Sequence, residues 1–147
     1  MHLIEPLAEA FTLAGFSCAW NVARGGFTVE LLASKNLEGE YEDFLVACGC
    51  APAKDIRGLL ERMIKAKKEL NVQAIVLLVE DGDIGEDRLI AQRHNILIWE
   101  KRNLDYYLAD LRKDPQTGTR KLMAALGHGA FIHIHKPAGE FNAPQDR

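Results

Sequence analysis

The chain has 147 residues, 48% hydrophobic and 27% charged, which is enough to bury one core and too little for two ordinary domains. Eighteen basic against 21 acidic side chains leave a net charge of -3, so no general cationic field draws in phosphates or anionic lipid, and any contact with such groups must come from a local patch. Glu5 and Glu9 stand where a signal peptide would be uncharged, and the longest apolar run is only Ala74 to Val79; the expectation is a cytoplasmic chain with no membrane partner.

Leu3, Leu7, Phe11 and Ala14 fall at helical spacing with Pro6 in the first turn, so Leu3 to Ala14 reads as a helix ended by Gly15. The period then changes. Phe16, Cys18 and Trp20 alternate with Ser17, Ala19 and Asn21, predicting a strand that closes at Arg24-Gly25-Gly26. Phe27 to Ser34 reads as a second strand, Lys35 to Glu40 as a hairpin loop, and Tyr41 to Cys50 as a third strand. From Pro52 onward, Ile56, Leu59, Leu60, Met63, Ile64 and Leu70 mark one face of an amphipathic helix. Gln73 to Val79, apolar from Ala74 onward, reads as a strand covered on both faces, followed by an acidic turn at Glu80 to Asp83 and a short helix from Glu86 to His94. Ile96 to Glu100 reads as another buried strand and Leu104 to Leu111 as another helix.

The core expected over residues 1–113 is therefore αβββαβαβα, an α/β arrangement in which helices flank a central mixed sheet. Glycines and Pro137 interrupt residues 114–137, which read as a small C-terminal extension: a short helix near Arg120 to Leu126 and an alternating strand, Phe131 to His135. Residues 138–147 read as a disordered tail. Cys18, Cys48 and Cys50 are odd in number, and the last two share one predicted strand, so no disulfide framework is expected.

Several phrases carry a family likeness. Ile4-Glu5-Pro6-Leu7 with Ala14-Gly15-Phe16, then Gly26 to Ala33 with Glu30 at its centre, then Phe44 to Cys50 followed by Lys54 to Leu60, and finally Gln73 to Val79 with Asp87 to Trp99, together resemble the restriction-endonuclease-like core of the PD-(D/E)XK superfamily. The likeness is strongest to its Mrr-type and archaeal Holliday-junction-resolvase-type branches, and it covers roughly three quarters of the chain. It implies a nuclease fold in which Glu30 replaces the usual metal-binding aspartate and Glu5 is the partnering acid. The chain departs from the pattern on the third strand. There the family has an acidic or amide residue, one spacer and a lysine, which bind Mg²⁺ and activate water; here the triplet is Ala47-Cys48-Gly49. The resemblance thus implies a nucleic-acid-associated member with a degenerate nuclease centre, partnered by DNA or RNA and with no certain cofactor.

Two alternatives stay open. One is a Mg²⁺-dependent DNA endonuclease with a rearranged catalytic set of Glu5, Glu30 and Lys54. The other is a structural or regulatory homodimer formed through the Phe131 to His135 strand. Nucleic-acid contact is expected at Lys54, Arg57, Arg62, Lys65 and Lys68 on the long helix and at Arg120 and Lys121 beyond the core, because clustered cations meet phosphates. Metal-ligand candidates are Glu30 for Mg²⁺ and His128, His133 and His135, the latter pair sharing a strand face.

Overall fold

A computed structural model describes residues 4–37, 42–80 and 84–127. Its elements are α1 (Ile4–Leu13), β1 (Ser17–Arg24), β2 (Phe27–Lys35), β3 (Phe44–Ala51), α2 (Ile56–Leu70), β4 (Ala74–Val79), α3 (Asp87–Arg93), β5 (Leu97–Glu100), α4 (Lys101–Lys113) and α5 (Pro115–Ala125), with a 3-10 turn at Ala53–Asp55 leading into α2. The strands form a five-stranded sheet in the order β1-β2-β3-β4-β5. The first three are antiparallel to their neighbours, whereas β3, β4 and β5 run parallel through the crossover helices α2 and α3. The α/β class with a mixed sheet between helices is as the hydrophobic periods predict.

Strand alternation sorts the core into two layers. Val46, Cys48, Val76 and Leu78 point to one side, where they join Leu7 and Phe11 of α1, Leu104 and Leu111 of α4, and Leu122 of α5. Ala47, Ile75, Leu77 and Val79 point to the other, against Ile56, Leu60, Met63 and Leu70 of α2 and Ala91 of α3. Every residue of β4 is buried, which is why that strand is apolar throughout and not alternating.

Three boundaries differ from the sequence reading for identifiable reasons. The third strand begins at Phe44, and Glu42 and Asp43 before it are exposed. The helix expected over Leu104 to Leu111 starts at Lys101, where Glu100 and Asn103 form a reciprocal cap at its first turn. The helix expected near Arg120 starts at Pro115, with Asp114 as its N-cap accepting from the Thr117 amide. Gly118 lies inside it, and a Cβ there would sit 2.7 Å from the backbone of Leu111. That glycine is a point of close helix crossing, not a break. The strand expected over 131–135 and the tail expected over 138–147 fall outside the described residues.

The β1–β2 hairpin bends in mid-course. Its ladder runs from Ser17↔Ser34 to Trp20↔Leu31 and resumes from Val22↔Val29 to Arg24↔Phe27, omitting Asn21 and Glu30. Asn21 adopts φ 51°, in the left-handed region that asparagine tolerates better than most residues. Beyond this bend Val29 belongs to the α2-side core, although Leu31 and Ala33 belong to the other. The hairpin tip reaches the end of α2, where the Arg24 guanidinium donates to the carbonyls of Leu70 and Asn71. Gly25, at φ 60°, packs so close to the Glu69 carbonyl that no side chain fits.

Candidate functional site

The bend in the hairpin creates the surroundings of Glu30. The β2–β3 ladder stops at Leu31↔Cys48, so the amide of Cys50 has no strand partner on that side, and the Glu30 carboxylate accepts from it at 2.9 Å. A buried amide without an acceptor costs about 1–3 kcal/mol, so Glu30 here completes the backbone pairing that the strand abandons. The opposing position on β3 is Gly49. A Cβ on Gly49 would meet Leu59 Cδ2 at 3.3 Å and Glu30 Oε1 at 3.6 Å. Leu59, 7% exposed, therefore fills the space into which a longer side chain at residue 49 would project.

The neighbouring thiol reports the same enclosure. Cys50 is buried, and burial first, then the Glu80 and Glu30 carboxylates and a hydrogen bond to Glu80, push its pKa up to about 12. Burial also drives the Cys48 thiol well above its ordinary value. Both cysteines lie in the apolar core with α1 and are free, consistent with small core residues.

The other residues expected in a catalytic or metal set are dispersed. Glu5 is exposed on α1, which packs on the side of the sheet opposite α2. Lys54 is exposed in the 3-10 turn, two residues before α2 and not within it. Lys35, which also lies on β2, donates to the Ala14 carbonyl at 2.6 Å and lies over the Phe16 ring, and burial lowers its pKa. Among the described residues no three His, Cys, Asp or Glu side chains are grouped to hold a metal ion. His128, His133 and His135 lie outside the described residues.

The basic residues separate by face. Arg57 leaves the outer stripe of α2 to pair with Asp87 and Glu86 at the start of α3, and the Asp87 hydrogen bond is the main cause of its raised pKa. Asp87, at 8% exposure, is the buried charged residue among those described. Arg62, Lys65 and Lys68 remain exposed on α2. Arg120 and Lys121 lie on α5, across the sheet from α2; Lys121 pairs with Asp110 at 3.0 Å and sits over the Tyr106 ring, and Arg120 donates to Thr117. The two basic clusters read from the sequence thus do not form one surface.

Sequence reasoning identified Glu30 but not its partner, because a backbone amide carries no residue signature. Leu59 was legible as a core position, without any sign of what it faces. A groove of about 430 Å³ lies at the start of β3, lined by Arg24, Glu42, Asp43, Leu45, Asn71 and Gln73; none of the residues expected in a site lines it. Comparisons with family models, curated proteins and solved structures found no match for the chain.

Proposed function

We propose that this chain is a nucleic-acid-associated, non-catalytic domain of the restriction-endonuclease-like type. The observation that carries the reading is the apolar closure at Gly49, where Leu59 occupies the space opposite Glu30. A hydrolytic phosphodiester centre needs a charge positioned on the scissile phosphate and a group to orient water. At this place on β3 the chain presents Ala47 and Gly49, and one oxygen of the Glu30 carboxylate accepts from the Cys50 amide. The element order and the direction of each strand support the fold-family reading, and the exposed cations of α2 support contact with phosphates.

Two measurements on the full chain test this. Binding to labelled DNA and RNA at low salt is expected, weakening as salt rises; absence of binding to both at the lowest salt ends the reading. Incubation of the same nucleic acids with Mg²⁺ or Mn²⁺ is expected to give no cleavage above that of a Glu30→Ala control. Cleavage that disappears in the control restores the enzyme and rejects the non-catalytic assignment.

A further inference from the structure

The outer surface of α2 and the end of α3 carry a group of cations that form no ion pair among the described residues. Arg62, Lys65 and Lys68 are exposed along successive turns of α2, and none has an ion-pair partner among the described residues. Lys67 donates to the carbonyl of His94, which brings the end of α3, with exposed Arg93, alongside. Five cations on this surface face two carboxylates, Glu61 and Glu69, a local excess of three in a chain of net charge -3. Arg57 is excluded from the group by its pairing with Asp87 and Glu86.

Among the described residues, the same surface lacks what a single strand requires. Binding of unpaired bases relies on aromatic platforms, and among the described residues the large exposed aromatics are Trp20 and Tyr106. Tyr106 is on α4, across the sheet, and Trp20 pairs with Leu31, whose side chain faces the α1-side core. A row of cations without stacking rings suits a partner that presents phosphates and keeps its bases stacked inside.

Resting on the function proposed above, we infer that the outer face formed by Arg62, Lys65, Lys67, Lys68 and Arg93 docks the backbone phosphates of a nucleic-acid duplex. Contact at phosphates gives affinity and orientation without reading sequence. Each neutralised phosphate contributes about -0.9 to the slope of log affinity against log salt. Loss of three contacts therefore removes about 2.7 from that slope, equivalent to about a 40-fold change between 50 and 200 mM salt.

The test titrates the full chain against a labelled duplex and against one of its strands, from low to moderate salt. Three proteins are compared: the wild type, an Arg62→Gln/Lys65→Gln/Lys68→Gln variant, and a Lys101→Gln/Arg102→Gln variant altered on the opposite side of the sheet. The expected result is tighter binding of duplex than of strand, a loss of tenfold or more with a flatter salt slope in the α2 variant, and wild-type behaviour in the other. Circular dichroism confirms that the variants are folded. Duplex binding unchanged in the α2 variant, or a strand bound as tightly as the duplex, overturns this inference and leaves the broader function standing. Failure of the wild type to bind either probe overturns the broader function itself.

Discussion

On the α1–α4–α5 side of the sheet, surface charges tie helices to one another: Arg112 on α4 pairs with Glu9 on α1, and Lys121 on α5 pairs with Asp110 on α4. On the α2 side, among the described residues, Arg57 alone of the exposed cations of the helix is held in this way, by Asp87 and Glu86 of the α3 region. The buried faces do not differ so much, since each helix layer covers an apolar half of the core. The contrast lies in the second ring of contacts. Where three helices pack side by side, charges at their seams find partners; a long helix flanked by a short one leaves most of its outer charges to solvent. Exposed pairs contribute only about 0–1 kcal/mol each, so the contrast bears more on what each face is free to touch than on stability.

Two glycines make the comparison measurable. Gly118→Leu drives a side chain into the backbone of Leu111, where even the Cβ would lie at 2.7 Å; forcing α4 and α5 apart is expected to cost about 3 kcal/mol or more. Gly58, in α2, has nothing within 4 Å of a built Cβ. Gly58→Ala is accordingly expected to stabilise the protein by about 0.5–1 kcal/mol through helix propensity. Urea unfolding of both variants checks the pair, and equal effects would erase the distinction between a crossing point and an open face.

Between these extremes in size lies Glu30→Ala, which leaves the Cys50 amide without its acceptor and is expected to cost about 1–2 kcal/mol. Glu30→Gln retains a carbonyl oxygen and should lose less. If both variants unfold together with the wild type, the carboxylate has no part in holding the strand edge. The smallest effect is chemical. A thiolate is the nucleophile in alkylation, and the Cys50 pKa is held up to about 12, so its modification in the native protein should be slow at pH 8 and accelerate toward higher pH. Glu80→Gln removes a negative charge that raises this pKa, and should speed alkylation of Cys50 several-fold at pH 9; an unchanged rate would remove Glu80 from the account. Cys18, half-buried, is expected to react first.

Hydrophobic period carried most of the architecture. The apolar run over Ala74–Val79 and the one-sided pattern of Ile56–Leu70 required a strand covered on both faces and a helix covered on one, and both elements stand where the pattern put them. The hairpin bend was not legible, because Trp20, Asn21 and Val22 continue a strand-like alternation through a residue whose backbone is left-handed. Gly118 misled for the opposite reason: a glycine marks a break or a close approach equally well, and only the neighbouring helix decides. Of the candidate site, Glu30 was visible as an acid within a strand. Its acceptance from an amide 20 positions away and the pairing of Arg57 with Asp87 across 30 positions depend on tertiary folding.

The attachment of Arg24 to the end of α2 joins residues 46 positions apart in the chain. Everything between them, from β2 through β3 and α2, is thereby closed into a loop fastened at the hairpin tip. Such a closure forms late, because its entropic cost falls due before its contacts exist, and once formed it makes the hairpin tip and the last turn of α2 open together. Amide protons in these two distant stretches should consequently exchange with solvent at a common rate, as one cooperative unit and not as two fraying ends.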